Sequence, residues 1–401
     1  MRIEEERHIR AAVVGLMGVM GFASAGCVTT ERPLTRDELT ERAEAQGRPF
    51  GDFDLPRRIG TVENIGLQLP VVSPAGDALI YQRSDRLGLP RMTLLGSSDH
   101  TPSEGELSLW LRPLAGRAPG RRISSHRWAH SGLWSPSGQA VLYVANEPPS
   151  SLLIHHDLAS GQEHELGLPG AINCMPRFDG NDETVLFCAG EKAEGPFRVY
   201  RQALGETRPE PLTPKGMDCV LPLMSGEGGA VICAHPQGSE MVWVTADVNG
   251  VTTLTSQRGA PHRALLLQTW AGIAEPLSSD RDSFLFCEIL NAGPTARAEG
   301  RIAVYCFSQR WTRRIERDPD NPWAGVELHS IAACWMDNDV VALATPENTF
   351  VHNTKNMVLT QVLNKPWIPA RYIPTLRTLV LLGAEMGGRL AIWEVRFRVR
   401  A

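Results

Sequence analysis

Residues 73–81 read SPAGDALIY and residues 135–143 read SPSGQAVLY. A near-repetition of this kind restricts the chain more than any single residue, because each copy has to be one structural unit that packs on its neighbours. Each phrase opens on a Ser-Pro-x-Gly turn, where proline presets φ and glycine tolerates a positive φ, and continues into an apolar run of strand type. The agreement starts earlier than the phrase. Residues 57–76, RRIGTVENIGLQLPVVSPAG, parallel residues 121–138, RRISSHRWAHSGLWSPSG. The unit is therefore a short strand beginning Arg-Arg-Ile, a loop, an apolar strand, a tight turn and a second apolar strand.

Looser copies follow at 171–190, 218–234, 267–288, 329–344 and 368–385, which brings the count to seven. Most are succeeded by a hairpin, as in LLIHHDLASGQEHEL (152–166) and MVWVTADVNGVTTLT (241–255), with Gly161 or Asn249-Gly250 at the bend. Four antiparallel strands recurring every roughly forty to sixty residues are the signature of a β-propeller blade. Glycine (37) and proline (29) are plentiful and scattered, as many short strands and turns require. The expectation is an all-β, seven-bladed β-propeller over residues 57–401, with six or eight blades as alternatives. Residues 57–62 align with an outer strand, and the chain ends at AIWEVRFRVRA without a clear fourth strand. The N-terminal strand is thus expected to complete the last blade and remove its open edge.

The phrase SPxGxxLxY followed by a strand such as LLIHHDLASGQ resembles the TolB-type, WD40-like propeller repeats of exported bacterial proteins. The usual motif has Asp before the glycine. Here Ala75 and Ser137 stand in its place, while Asp179-Gly180 keeps it in the third copy. The resemblance implies a family of folds rather than one activity. TolB proper carries a separate N-terminal domain, for which the tether described next leaves no room.

The first 26 residues read as a secretory signal peptide: Arg2, Arg7 and Arg10 precede AAVVGLMGVMGFASAG, a stretch too short to span a bilayer comfortably. Two endings stay open. Ala23-Ser24-Ala25 is an A-x-A cleavage site releasing a soluble chain, whereas Ser24-Ala25-Gly26-Cys27 resembles a lipobox and implies lipidation of Cys27. Either way the expected address is outside the cytoplasm, as a periplasmic protein, membrane-anchored where Cys27 carries lipid. Residues 27–56 form a polar tether, in which Thr35 and Glu38 make a capping box for one short helix.

Seven cysteines follow Cys27. Cys174 and Cys188 are fourteen positions apart around one hairpin turn, and Cys219 and Cys233 repeat that separation around the next. Export permits oxidation of both pairs. The alternative is that they are small buried hydrophobes. No Cys/His spacing of the zinc type occurs, and neither a metal nor a cofactor is expected.

In a meander of this kind the Ser-Pro-x-Gly turns all lie at one end, and the long connections lie at the other. Those connections gather Arg83, Asp85, His100, Arg127, Trp128, His130, His262, Arg263, Asp318, Asp320, Trp323 and Trp367, the candidate binding face. Loops on a rigid scaffold carry function, and Trp with Arg is enriched at interaction hot spots. A formal charge of −5 with no basic run argues against a nucleic-acid partner. G-x-S-x-G and H-E-x-x-H are both absent from the sequence. The trio His155-His156-Asp157 sits on one strand, where neighbours point to opposite faces. The expectation is a monomeric, non-catalytic envelope scaffold that binds a protein or cell-wall component. The alternative is a propeller lyase or lactonase-like hydrolase, with a divalent cation at the channel mouth.

Overall fold

The computed structural model describes residues 53–63, 69–84, 107–116, 118–192, 195–224, 231–237, 240–257, 275–291, 299–315, 332–345, 347–355, 359–385 and 389–398. The signal segment, Cys27 and the tether with its expected helix lie outside them. Among the described residues every regular element is a strand. Those between Glu63 and Gln257 form one compact unit; those before and after form another.

The chain opens with β1 (Arg57–Glu63). The unit from Glu63 to Gln257 begins with β2 (Val71–Val72), β3 (Ala78–Ser84), β4 (Leu107–Pro113) and β5 (Arg121–Arg122), an antiparallel sheet in that order. Two further meanders are β6 (Ala129–Trp134), β7 (Ala140–Glu147), β8 (Ser150–Asp157) and β9 (Glu163–Leu166), then β10 (Ile172–Phe178), β11 (Thr184–Gly190), β12 (Arg198–Ala203) and β13 (Glu210–Pro211). They share one sheet through a single parallel contact, Ile172 beside Ser151. A fourth meander is β14 (Val220–Met224), β15 (Val231–Gln237), β16 (Glu240–Ala246) and β17 (Val251–Gln257).

In the other unit, β18 (Ser283–Asn291), β19 (Glu299–Cys306) and β20 (Trp311–Arg314) make a three-stranded sheet. After it come β21 (Ala332–Asp337), β22 (Val340–Ala344), β23 (Thr349–Asn353) and β24 (Leu359–Leu363). The last sheet holds β25 (Ile368–Ile373), β26 (Thr378–Glu385) and β27 (Arg389–Arg396), with β1 on the outer edge of β27.

Each unit owes its cohesion to strands buried on both faces. In β7, Val141, Tyr143 and Ala145 pack with Ile80 and Leu109 of the preceding meander. The alternate residues Leu142 and Val144 pack with Val185 and Phe187 of the following one. Strand alternation thus divides one apolar run between two cores, which is why AVLYVA does not alternate with polar residues. β22 behaves likewise: Val341 and Leu343 join Leu285 and Val304, while Val340 and Ala342 join Leu379 and Leu381.

The turn serine is internal framework. Ser135 is fully buried. Its backbone N–H donates to the Ala140 carbonyl at 2.9 Å, and its Oγ accepts from the Ala140 N–H at 3.1 Å. Ser73 holds Ala78 in the same way, and Ser278 holds Ser283. Gly76 and Gly138 close these turns at φ 72° and 76°, donating to the Ser73 and Ser135 carbonyls. In the third of these turns Arg281 takes the glycine's place at φ 59° and donates to the Ser278 carbonyl. A second device also repeats. The Trp134 indole donates to the Val71 carbonyl at 2.9 Å, and the Trp335 indole donates to the Pro276 carbonyl at 2.8 Å. Both carbonyls lie two residues before the turn serine of the preceding meander.

The strand β1 is fastened to the C-terminal sheet by charge as well as by backbone pairing. Arg57 meets Glu394 at 2.6 Å, Arg58 meets Glu385 at 2.8 Å, and Arg398 Nε donates to Asp54 at 2.7 Å. Phe53 bridges Phe397, with ring centroids 6.0 Å apart. Exposed ion pairs of this type contribute little each, so pairing and edge coverage carry the effect.

Two outcomes are expected. Removing residues 57–63 lowers the thermal midpoint and promotes aggregation, because β27 becomes an open edge; an unchanged melting curve would refute the clasp. Ser135→Ala, read by urea unfolding, costs about 1–3 kcal/mol, since the buried Ala140 N–H loses the hydroxyl acceptor.

Candidate binding site

In the unit from Glu63 to Gln257, several strand ends meet opposite the Ser-Pro-x-Gly turns. β3 finishes at Ser84, β4 starts at Leu107, β7 finishes at Glu147, and residues 123–128 cross from β5 to β6. That crossing is held on both sides. Ile123 donates to the Leu109 carbonyl at 2.9 Å, and the Leu109 N–H donates to Ser124 Oγ at 3.0 Å. Further along, the Leu107 N–H donates to the Arg127 carbonyl at 2.9 Å, and the Asn146 N–H donates to the Trp128 carbonyl at 3.0 Å.

Three of the sequence-derived candidates come together here. Arg83 is exposed, and its guanidinium lies 4.7 Å from the Trp110 ring centroid. The Trp110 indole in turn donates to Ser108 Oγ at 2.9 Å, so the ring is oriented from beneath. Arg127 is exposed, and Trp128 beside it is half-buried. Arg122, on the neighbouring edge strand, donates from Nε to the Ser124 carbonyl at 2.8 Å and from Nη2 to the His126 carbonyl at 3.2 Å. Three guanidinium groups thus belong to one edge, on a chain whose formal charge is negative.

Two other candidates are framework. His130 is buried, with Nδ1 2.9 Å from Ser131 Oγ and Nε2 3.2 Å from Asn146 Oδ1. Burial pushes its pKa down and keeps the ring neutral. Trp367, in the other unit, stacks on Trp393 at 4.3 Å, and its carbonyl accepts from Thr349 at 2.8 Å. A Cβ on Gly383 would stand 2.7 Å from the Trp367 indole nitrogen, so this ring fills a fitted slot. His130 is thus buried, whereas Trp367 is half-buried as Trp128 is; position in a loop does not fix depth. Asp85, His100, His262, Arg263, Asp318, Asp320 and Trp323 lie outside the described residues.

Sequence reasoning missed the group that fixes this edge. Glu163 on β9 accepts from Ser125 Oγ at 2.5 Å and from the Tyr143 hydroxyl at 2.6 Å. His156 Nδ1 stands 3.3 Å from the same carboxylate, and His126 Nε2 stands 4.0 Å away. His126 also meets Glu147 through Nδ1 at 2.8 Å. The carboxylate therefore holds Ser125 and His126, the two residues just before Arg127 and Trp128. Burial pushes the Glu163 carboxyl up, but the hydrogen bonds from Ser125, Tyr143 and His156 together outweigh it and hold the carboxyl below its ordinary value. The Tyr143 hydroxyl is raised, first by burial and then by its bond to Glu163.

Strand alternation separates the His155-His156-Asp157 trio. His155 faces Phe178 and His164, each at a ring-centroid distance of 6.2 Å, while His156 turns to Glu163. Among the described residues no group of three His, Cys, Asp or Glu is placed to hold a metal ion. What the edge offers is guanidinium and indole surface on a backbone fixed by hydrogen bonds.

No family model and no curated protein matches the chain. Among solved structures, an oligogalacturonate lyase in complex with manganese is similar at a TM-score of 0.56 and 11% identity, with 86% of this chain and 96% of that chain covered. The oligogalacturonate lyase from Vibrio parahaemolyticus gives 0.50 and 10% over 86% and 98% of the two chains. TolB from Acinetobacter baumannii gives 0.43 and 16% over 74% of this chain, which spans 63% of that TolB. The likeness is one of fold, a propeller-like arrangement of antiparallel sheets.

The Glu163 hub has a defined pH signature. Its folded pKa lies below the unfolded value of about 4.3, so its contribution is present above that value and is lost as pH falls through the folded pKa. Glu163→Gln is expected to cost about 1–3 kcal/mol near neutrality and to flatten the loss of stability on acidification. Urea unfolding across the acid range tests this; identical acid slopes for the variant and the parent would contradict it.

Proposed function

We propose that this chain is an exported, non-catalytic β-propeller of seven blades that binds a partner of the cell envelope through the edge carrying Arg83, Arg127 and Trp128. The N-terminal apolar segment supports export to the periplasm. Ser24-Ala25-Gly26-Cys27 supports a lipid anchor on Cys27, with cleavage after Ala25 as the soluble alternative. The partner is a cell-wall component or an envelope protein bearing anionic groups.

One observation carries this reading. The crossing from Ser124 to Trp128 is held by backbone bonds on both sides and by the Glu163 carboxylate from below. A surface whose backbone is already fixed loses little conformational entropy on binding, so its contacts convert more fully into affinity. Arg forks recognise carboxylate and phosphate, and the Arg83–Trp110 pair adds a flat face that stacks on rings or sugars.

The second reading is a propeller lyase. It is supported by the fold likeness to oligogalacturonate lyase, one of which was solved with manganese. The two readings separate in one set of measurements. On the scaffold reading the full chain co-sediments with purified cell-wall sacculi, or crosslinks to one envelope protein, and added salt weakens the contact. The Arg127→Ala/Trp128→Ala variant is expected to lose affinity by about thirtyfold, a hot-spot loss of about 2 kcal/mol, with its melting temperature unchanged. Equal binding by the variant would defeat the assignment of this edge. A stoichiometric divalent cation in the purified chain, together with eliminase activity on acidic polysaccharide, would move the protein to the lyase reading.

A further inference from the structure

Away from the binding edge, the cysteines paired by spacing, Cys174 with Cys188 and Cys219 with Cys233, are buried thiols of the framework. A second group that the binding reading does not use is a pair of imidazoles on the last two strands of the second meander. His155 of β8 and His164 of β9 are direct cross-strand partners. Their side chains therefore leave the same face of the sheet, opposite to the face on which His156 meets Glu163. The ring centroids stand 6.2 Å apart, with the planes inclined at 38°.

His155 is the fixed member of the pair. It is 7% exposed, and the Phe178 ring of the following meander meets it edge-on at 6.2 Å. Its Nδ1 is buried and has no hydrogen-bond partner, an arrangement that is costly and uncommon for a buried polar atom. Burial first, and the neighbouring His164 next, lower the His155 pKa, so the ring is neutral near neutrality and keeps a lone pair. His164 is exposed, which leaves its ring room to turn. Asp157 and Asp182 lie within electrostatic reach of His155. Asp157 Oδ1 already accepts from the Ser160 N–H at 2.6 Å, and Asp182 Oδ1 from the Ser137 N–H at 3.0 Å. The two carboxylates thus contribute negative charge near the pair rather than ligands.

We propose that His155 and His164 form a two-imidazole site for a divalent transition-metal ion of the nickel, copper or zinc type. Imidazole suits these ions, whereas manganese, magnesium and calcium favour oxygen ligands. A metal–nitrogen bond of about 2 Å on each side spans the gap between rings at this separation, once His164 turns towards His155. Among the described residues no third His, Cys, Asp or Glu completes the set, so water fills the remaining positions. The bound ion links β8 to β9 and stabilises the folded chain by mass action.

The test is calorimetric titration of the full chain with NiCl2, joined to mass mapping of the histidines modified by diethyl pyrocarbonate. The expected result is a single tight equivalent of Ni2+, protection of His164 from modification, and a thermal midpoint that the ion raises and EDTA restores. His164→Ala, at the exposed partner, is expected to weaken Ni2+ binding by at least about tenfold, since losing even a group that only orients a ligand costs that much. The melting temperature of its ion-free form stays that of the parent. His155→Asn is expected to weaken binding to the same degree. Equal Ni2+ affinity in His164→Ala and the parent overturns the site, and so does Ni2+ binding that leaves His164 open to modification. Because the probe is nickel alone and His155 and His164 lie on the face away from Glu163, the outcome does not depend on the partner of the Arg127 edge.

Discussion

A strand that is apolar on both faces cannot be satisfied by one neighbouring sheet, and the rest of this structure depends on that constraint. Val141 and Leu142 are adjacent and both fully buried, yet they belong to different cores. A meander of this composition is stable only between two others, so the chain has to repeat. Beside this face-to-face packing, β1 pairs with β27 and covers the edge of the last sheet. Stability is therefore distributed along the series rather than concentrated in one core.

The Glu163 hub is the polar exception inside that apolar packing. A carboxylate partly withdrawn from water is costly unless donors replace its hydration. Ser125 and Tyr143 supply two close donors, and His156 and His126 stand near. The hydroxyl of Tyr143 reaches this point only because its ring is fully enclosed in the core between the first two meanders. The final tyrosine of the repeated phrase thus joins the apolar framework to the polar edge. A disturbance of the core at Tyr143 would be felt at Arg127 through Glu163 and Ser125.

What was legible in the sequence follows the range of the physics. Strand alternation, Ser-Pro-x-Gly turns and glycine bends act over a few residues, so the meanders and their order could be read directly. The clasp of β1 was readable because residues 57–62 repeat an outer-strand pattern with no strand before it to pair with. Glu163 was not readable, since its role depends on the register that sets His156 opposite it and on Ser125 arriving from the crossing between β5 and β6. His130 lies buried for a related reason: depth is a property of the packed unit. The cysteines show the limit most sharply. Two pairs with the same separation of fourteen fall in different registers, one directly opposed and one offset by two residues, because spacing does not report which residue is paired.

The degenerate copies also clarify what selection on such a repeat has to preserve. Residues 276–283 read PLSSDRDS and keep almost none of the letters of VVSPAGDA. They retain the buried hydroxyl of Ser278, the turn closed by the third residue after it, and the carbonyl of Pro276 that receives an indole from the next meander. Arg281 accepts the strain of a left-handed backbone, of order 1 kcal/mol, to hold the position glycine fills elsewhere. The constraint at this end of the strands is geometric, and many residues can meet it at small cost. At the opposite end Ser124 and Thr213 hold Leu109 and Val199 in the same way, but the connections differ in length and residue chemistry from one repeat to the next. A ligand is distinguished by residues that differ between repeats, so Arg83, Arg127 and Trp128 are better placed to do so than the serine of any turn.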